Sequence, residues 1–298
     1  MRRRRRRLSS ARHEAPKPRV RRHWSFEKFW HGPLPKVILI GVAIICLLVV
    51  FFRMSGNASI NVVPTIQERG TVLVGVLRDE MPFSKVEDNG SATGFEAELA
   101  SQIGQQVVNG PGVVYVPVTV KNALALLANK DVDFLVSRVG VTASLQDSYS
   151  VSSVYYQDPV MLMTKSSTRL DLSSAETKIG VIPNSTLKPM LTDYLTTMAY
   201  PALVVDVSSY PDATEALKNG KIDAFCAEQS VLTRYLTEGT LIQNIKIGQV
   251  DYAVVSRKRE RDLATLIEQA LAQMHDSGAL APLYQKYNLS MPVTEAKN

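Results

Sequence analysis

Two stretches 90 residues apart carry one pattern: Leu127-Ala-Asn-Lys-Asp-Val-Asp133 and Leu217-Lys-Asn-Gly-Lys-Ile-Asp223. Each follows a segment with helical apolar spacing, turns at Asn, and enters an apolar strand through Asp. A helix–turn–strand unit that is used twice at the spacing of a domain predicts two similar α/β lobes. Two lobes leave a cleft between them, and such clefts are a preferred place for small ligands.

Strand and helix patterns alternate on both sides of the repeat, and this alternation predicts parallel βαβ units. The predicted strands are 71–77, 113–120, 132–136, 178–182, 202–207 and 222–227, and apolar stretches at 160–164 and 251–255 are interpreted as crossings between lobes. The predicted helices are 94–107, 122–129, 187–197, 212–219, 231–237, 261–274 and 280–287. We therefore expect lobe 1 at 68–160 and 251–290, and lobe 2 at 161–250.

The net charge of +6 is unevenly distributed along the chain. Residues 1–36 hold ten Arg and three Lys against Glu14 and Glu27, a net +11, so the remaining residues sum to −5. A basic segment without periodic apolar residues is typical of a disordered tail that sets membrane topology and is attracted to anionic lipid. No specific nucleic-acid binding is expected, because the Arg-rich run contains no aromatic residue. A cytoplasmic protein partner stays an open alternative.

An unbroken apolar run of sixteen residues extends from Val37 to Phe52. At a rise of 1.5 Å per residue it covers about 24 Å of a hydrocarbon core of roughly 30 Å, and flanking side chains can close the gap. We interpret residues 37–54 as one transmembrane helix, with 55–67 as a linker and 291–298 as a tail. The retained basic residues place the N-terminus in the cytoplasm and the C-terminal domain on the other side of the membrane. A cleaved signal peptide is the alternative, since Gly56-Asn57-Ala58 offers small residues for a peptidase.

The residue inventory argues against an enzyme. His275 is the one histidine outside residues 1–36, and Cys46 and Cys226 are the two cysteines. One histidine and one cysteine in the outer domain assemble neither a catalytic triad nor a histidine-based metal site. We therefore expect no catalysis, no metal and no cofactor.

The motifs of residues 66–289 resemble the amino-acid-binding cluster of type II periplasmic solute-binding proteins. Eight pieces occur in that family's order: Val72-Leu-Val-Gly-Val76, Met81-Pro-Phe83, Gly94-Phe-Glu-Ala-Glu-Leu99, Val132-Asp133, Tyr155-Tyr156, Gly180-Val181, Ala216-Leu-Lys-Asn-Gly-Lys-Ile-Asp223, and Ala270–Gly278 with Tyr284–Tyr287. The resemblance implies an α/β, two-lobed, periplasmic-binding-protein-like (type II) domain that closes on its ligand by a hinge in the crossing strands.

The resemblance also implies a set of ligand-binding residues. Phe83 would supply an aromatic platform, Ser185 and Thr186 at a helix start would receive the ligand carboxylate, and Glu228 at a strand end would meet its ammonium group. A helix N-terminus favours an anion independently of the family, although Ser185 as a simple N-cap is an equal alternative.

The sequence departs from the family at Leu145, where an Arg that grips the ligand carboxylate is expected. Leucine offers no hydrogen-bond donor. Arg138, which ends the third strand, is a candidate to supply the charge, with a structural ion pair as the alternative. Two functions follow: a membrane-tethered receptor for a small polar solute that serves an ABC-type transporter, or a sensory or scaffolding domain of an envelope complex with a degenerate site.

Overall fold

The computed structural model describes residues 40–47, 49 and 59–290, and the chain divides into two units, 1–58 and 59–298. The helices of the second unit are α1 (Val63–Arg69), α2 (Phe95–Val108), α3 (Ala123–Ala128), α4 (Ala143–Ser148), α5 (Leu187–Thr197), α6 (Tyr210–Lys218), α7 (Gln229–Tyr235), α8 (Arg261–Asp276) and α9 (Leu280–Lys286). The strands are β1 (Val72–Leu77), β2 (Asp79–Glu80), β3 (Ser84–Val86), β4 (Ala92–Thr93), β5 (Val113–Val118), β6 (Phe134–Leu135), β7 (Tyr149–Lys165), β8 (Lys178–Val181), β9 (Leu203–Asp206), β10 (Ala224–Glu228) and β11 (Thr240–Arg257).

The repeated stretches make the same contact in the two halves of this unit. The Asp133 carboxylate accepts a hydrogen bond of 2.8 Å from the backbone N–H of Leu73. The Asp223 carboxylate accepts one of 2.8 Å from the backbone N–H of Lys178. In each case the aspartate joins the strand that it precedes to the first strand of its own lobe, so the unit predicted to be used twice makes the same contact in both lobes.

Eight strands form one sheet in the order β5-β1-β6-β11-β7-β10-β8-β9, and β2-β3-β4 form a small second sheet. β1 is parallel to β5 and β6, and β8 is parallel to β9 and β10. The long antiparallel strands β7 and β11 pair from one lobe into the other, for example at Tyr156 with Tyr252 and at Val160 with Gly248. The two-lobed α/β architecture is therefore confirmed, and the crossing segments are much longer than 160–164 and 251–255.

Three clusters of buried apolar side chains make up the core. The first packs α2, α8 and α9 on one face of the lobe 1 sheet and includes the aromatic rings of Phe83, Phe95, Tyr156 and Tyr252. The second fills lobe 2 between Val160 and Ile247. The third covers the other face of the lobe 1 sheet, since its strand residues alternate with those of the first.

Residues 63–67 were predicted to belong to the linker, and the structure corrects this. They form most of α1, in which Val63 and Ile66 are buried in the first cluster. Pro64 signals a spacer, but proline is well tolerated in the first turn of a helix. The N–H of Val63 donates to the Asp262 carboxylate at 2.8 Å, which joins α1 to the start of α8.

Residues 40–47 and 49 of the first unit are helical. Among the residues that the structure describes, no helix combines the length and the apolar character needed to cross a membrane. The predicted basic tail at 1–36, the ends of the anchor at 37–54, the first residues of the linker and the tail at 291–298 lie outside the described residues.

Candidate functional site

The candidate site is organised around Arg138, which follows β6. Its backbone φ of 50° lies in the left-handed region, which non-glycine residues seldom adopt. Its N–H donates to the Glu96 carboxylate at 2.7 Å, and the same carboxylate oxygen accepts a short hydrogen bond from the Tyr155 hydroxyl. Glu96 is fully buried on α2, so this carboxylate holds the strained backbone in place.

The Arg138 side chain lies between the two lobes and is 10% exposed. Its guanidinium carbon is 4.9 Å from the ring centre of Phe83 and 5.4 Å from that of Tyr252. One terminal nitrogen donates to the Tyr252 hydroxyl at 3.0 Å and lies 3.6 Å from the Glu228 carboxylate. The other terminal nitrogen lies 3.8 Å from the Glu80 carboxylate. Arg138 therefore makes cation–π, hydrogen-bond and ionic contacts in one place.

A second buried carboxylate, Asp158 on β7, lies behind this group. It accepts hydrogen bonds from the Ser230 hydroxyl at 2.5 Å and the Ser230 N–H at 3.2 Å, where α7 begins. The Tyr252 hydroxyl is 3.5 Å from both the Asp158 and the Glu228 carboxylates. Tyr252 thus links the crossing strands to the end of β10.

Burial raises the pKa values of two of these carboxyl groups. The pKa of Glu96 rises to about 7, because desolvation outweighs its hydrogen bonds and the charge of Arg138. The pKa of Asp158 rises to about 6, because desolvation outweighs the hydrogen bonds from Ser230 and the charge of Arg138. Burial alone would lower the pKa of Arg138, but Tyr252 and Glu228 more than offset it and the pKa is raised. The guanidinium is therefore always charged.

The cluster keeps unused hydrogen-bonding capacity. Within the described part of the chain, four of its buried side-chain atoms have no hydrogen-bond partner: Glu96 Oε2, Ser137 Oγ, Arg138 Nε and Glu228 Oε2. Leaving a buried polar group unpaired costs about 1–3 kcal/mol, so such atoms concentrated at one place indicate a site for a polar ligand rather than a stability device.

An ion pair at the rim joins the lobes. Arg234 on α7 lies 3.0 Å from the Glu80 carboxylate and donates to the Asp79 carbonyl at 3.4 Å. Both charged side chains are more than a third exposed, so this pair adds little stability but brings the lobes together.

A cavity of about 270 Å³ opens beside the ion pair of Arg234 and Glu80. It is lined by Met81, Pro82, Tyr156, Gln229, Ser230, Thr233, Arg234, Tyr287, Asn288, Leu289 and Ser290. A larger groove of about 760 Å³ lies between α8 and the lobe 1 ends of β7 and β11, and contains no predicted site residue.

Three of the five predicted site residues come together in the structure: Phe83, Arg138 and Glu228. Phe83 is only 1% exposed, and the Arg138 guanidinium lies over its ring. It is therefore part of the core and not an open platform as it stands. The sequence left open whether Arg138 binds a ligand or forms a structural ion pair. In this structure it lies in an ion pair with Glu228.

Ser185 and Thr186 immediately precede α5. The Ser185 hydroxyl donates to the Ile182 carbonyl at 2.7 Å, and the exposed Thr186 is the N-cap residue without a side-chain capping bond. Among the contacts of the described residues, none joins either side chain to Phe83, Arg138 or Glu228. Their predicted role in carboxylate binding stays a prediction.

Leu145 points into the third core cluster and is 7% exposed. It lies in α4, whose first turn is capped by Thr142, which accepts a hydrogen bond of 3.1 Å from the Leu145 N–H. An apolar side chain packed in this way replaces the donor that the resemblance places there.

Four contributors to the cluster were missed from the sequence: Glu96, Asp158, Tyr252 and Glu80. Glu96 stands next to Phe95 on the buried face of a predicted helix, and a carboxylate in that position was the one signal available. No group of three His, Cys, Asp or Glu side chains within the described ranges is arranged to hold a metal ion.

The sequence of this chain is similar to those of known proteins. A sequence profile of the bacterial extracellular solute-binding proteins, family 3, matches residues 72–290. The L-cystine-binding protein of Escherichia coli (strain K12) is 25% identical over 264 residues, covering 85% of this chain and 96% of that protein. A glutamine-binding protein of an ABC transporter of Bacillus subtilis (strain 168) is 24% identical over 231 residues, covering 74% of this chain and 82% of that protein. These curated relatives are solute-binding proteins, not enzymes.

Solved structures agree with the fold. An ancestral amino acid-binding protein, described as a precursor of cyclohexadienyl dehydratase, aligns with a TM-score of 0.63 at 22% identity over 76% of this chain and 99% of its own. A substrate-binding protein of an amino acid ABC transporter of Streptococcus pneumoniae, bound to L-arginine, aligns with a TM-score of 0.61 at 22% identity over 75% of this chain and 97% of its own. At this identity the likeness shows the two-lobed fold alone.

Proposed function

Because the chain belongs to family 3 of the bacterial extracellular solute-binding proteins, we propose that it closes two lobes on a small polar ligand, an amino acid or a related compound, for ABC-type uptake. The observation that carries the proposal is the buried group of opposite charges between the lobes, in which Arg138 and Glu228 face each other at 3.6 Å. A zwitterion that enters between them can offer its carboxylate to Arg138 and its ammonium to Glu228.

The connection of the lobes supports closure as the working motion. β7 and β11 are the strands that run from one lobe into the other, and their pairing is irregular between Gln243 and Gly248 and again near Tyr252. Two long strands with bulges can absorb a change in backbone angles while each lobe moves as a body. Asp158, Tyr252 and Arg138 lie at this hinge, so occupation of the site is coupled to its geometry.

The site residues in this proposal keep the roles that the resemblance gives them, with two changes, at the carboxylate receptor and at Phe83. The family's arginine is expected at position 145, which is leucine here, so Arg138 binds the ligand carboxylate in its place. Glu228 receives the ammonium group. Ser185 and Thr186 would approach the carboxylate from the start of α5 on closure. The ring of Phe83 packs against the Arg138 guanidinium, whose carbon lies 4.9 Å from the ring centre.

The proposal includes a membrane tether: residues 37–54 would anchor the chain in a bacterial inner membrane, with residues 1–36 in the cytoplasm and the binding domain outside. The apolar run between Lys36 and Arg53 and the +11 charge that precedes it support this orientation. Protease added to cells whose outer envelope alone has been permeabilised is expected to degrade the binding domain and to leave residues 1–30 uncut. Cleavage of residues 1–30 from outside would contradict the orientation.

A sensory or scaffolding role in an envelope complex is the second candidate. Two observations favour it: Leu145 packs into the core in place of a ligand-binding arginine, and Arg138 covers the ring of Phe83. A protein that co-purifies through residues 1–53, together with an absence of solute affinity, would decide for this role.

Calorimetric titration tests the first candidate. The purified chain, unfolded and refolded to remove carried-over solute, is expected to bind at least one member of a panel of amino acids, small peptides and organic anions with micromolar affinity. Glu228→Gln removes the charge that faces the ammonium group and is expected to weaken that binding at least tenfold, about 1.4 kcal/mol or more.

Glu238→Gln is the matched control, because Glu238 is an exposed carboxylate of the same lobe. It is expected to leave the affinity unchanged. If no compound of the panel binds the wild-type chain, the receptor role fails and the second candidate takes its place.

A further inference from the structure

The guanidinium of Arg138 is held in the way in which a protein holds a bound organic cation. It lies over one aromatic face at 4.9 Å, beside a second at 5.4 Å, donates to a hydroxyl at 3.0 Å and faces a carboxylate at 3.6 Å. Aromatic faces together with a carboxylate are the features that recognise a flat, weakly hydrated cation.

The receiving groups come from three separate elements. Phe83 lies between β2 and β3, Tyr252 lies on β11, and Glu228 ends β10. Glu228 is 13% exposed, and its second oxygen has no hydrogen-bond partner among the described residues. Without a cation beside it this carboxylate would be buried and uncompensated, which is strongly unfavourable. The subsite is therefore built for positive charge, and Arg138 supplies that charge from within the chain.

The backbone at Arg138 does not require an arginine. Its φ of 50° suits glycine better than any residue with a side chain, and the contact that fixes it, from the Arg138 N–H to Glu96, is made by the backbone. The arginine is thus placed where local conformation would favour glycine, and its side chain is the part that the cleft uses.

We propose that Arg138 is a built-in occupant of a cation subsite and thereby determines specificity: the cleft takes solutes with neutral or acidic side chains and excludes those with cationic ones. This inference rests on the proposed solute-binding function and names the ligand class of the same site. A cationic side chain would meet aromatic faces that a guanidinium already covers, whereas Oε2 of Glu228, which has no hydrogen-bond partner among the described residues, stays open to the ammonium group that every amino acid carries.

Removal of the Arg138 side chain tests the subsite directly. Arg138→Gly keeps the backbone conformation and empties the subsite, so the variant is expected to have a lower Tm than wild type. Methylguanidinium chloride, added to the full chain, is expected to raise the Tm of the variant and to bind it with a Kd of about 1 mM, at least tenfold tighter than wild type. Potassium chloride at equal ionic strength is expected to produce no such rise.

A double variant shows whether the rescue uses the subsite. In Arg138→Gly combined with Glu228→Gln the opposing charge is gone, and the rise in Tm with methylguanidinium is expected to be lost. Equal methylguanidinium binding by wild type and Arg138→Gly, or rescue that persists in the double variant, would overturn the proposal.

A titration of wild type covers the case in which Arg138→Gly does not fold. The wild-type chain is expected to bind L-glutamine or L-glutamate at least tenfold tighter than L-arginine, and equal or tighter binding of L-arginine would overturn the proposal. The two proposals also fail separately. If methylguanidinium rescues Arg138→Gly but the wild type binds no solute, the cation subsite is supported and the receptor function fails. If the wild type binds a solute but methylguanidinium does not rescue the variant, the receptor function is supported and the cation subsite fails.

Discussion

Replacing Phe83 with alanine is expected to lower the free energy of unfolding by about 3–5 kcal/mol, which is the usual cost of removing a fully buried aromatic ring. Phe83 is 1% exposed and packs edge-on against Phe95, Tyr156 and Tyr252 at centroid distances of 6.4, 5.5 and 6.0 Å. Its loss also removes the surface that carries the Arg138 guanidinium. Equilibrium denaturation in urea measures the change through a shift in midpoint at constant slope.

Two control variants separate the contributions to this effect. Phe83→Leu keeps most of the apolar volume and loses only the aromatic contacts, so its cost should be well below that of alanine. Val120→Ala removes methyl groups from a side chain that is 76% exposed and should change stability by less than about 0.5 kcal/mol. A Phe83→Ala variant within 1 kcal/mol of wild type would show that the ring is not part of the lobe 1 core.

This expected loss changes how ligand-binding data on Phe83 are to be interpreted. The family resemblance predicts a platform for the ligand, and a platform can be removed without harm to the fold. A ring enclosed by three aromatic side chains and a guanidinium cannot. Weaker binding by Phe83→Ala would therefore report a disturbed core together with any lost contact, and Glu228 is the better residue for testing the pocket.

Much of the fold was predictable because local signals and the fold agree. The turn that enters β6 through Asp133 and the turn that enters β10 through Asp223 were visible as one repeated pattern, and both aspartates perform the same task. The helix at Leu187–Thr197 was predicted at its observed bounds. The crossing strands were predicted too short, because polar residues such as Gln157 and Asp158 interrupt the apolar alternation on which strand prediction depends.

The site was predictable only in part, because its contacts join residues that are distant in sequence. Arg138 meets Glu96 42 residues away and Tyr252 114 residues away. A buried carboxylate such as Glu96 cannot be told from an exposed one by its type alone. Phe83 and Glu228 were predicted from the family resemblance, and Arg138 was predicted because it ends a strand, where ligand sites of α/β folds gather.

Stability of the wild-type protein is expected to fall as the pH rises from 5 to 8, and Glu96 is expected to be a main cause. Its pKa is about 7 in the folded protein against 4.5 for the ordinary side chain, so the folded state binds more protons than the unfolded state between these values. The free energy of unfolding then decreases with pH: the contribution is fully present below the unfolded pKa and is lost as the pH rises through 7. A difference of this size corresponds to roughly 3 kcal/mol.

Glu96→Gln isolates this contribution. The amide oxygen of glutamine can still accept from the Arg138 N–H and the Tyr155 hydroxyl, while the titrating proton is removed. Urea denaturation of wild type and variant at pH 5, 6, 7 and 8 is therefore expected to give a flatter pH dependence for the variant, most clearly above pH 6. Parallel curves for the two proteins would contradict the assignment.

Asp158 provides an internal comparison, because its pKa of about 6 predicts the same sign of effect in a lower window of pH. Asp158→Asn leaves only one acceptor for the two hydrogen bonds from Ser230, so it should cost stability at every pH as well as flatten the curve below pH 6. The two carboxylates both interact with Arg138, and their contributions should be less than additive in the double variant. A pH dependence shared in this way would show that these two buried carboxyl groups, and not those of the exposed surface, control how the stability of the two-lobed domain changes with pH.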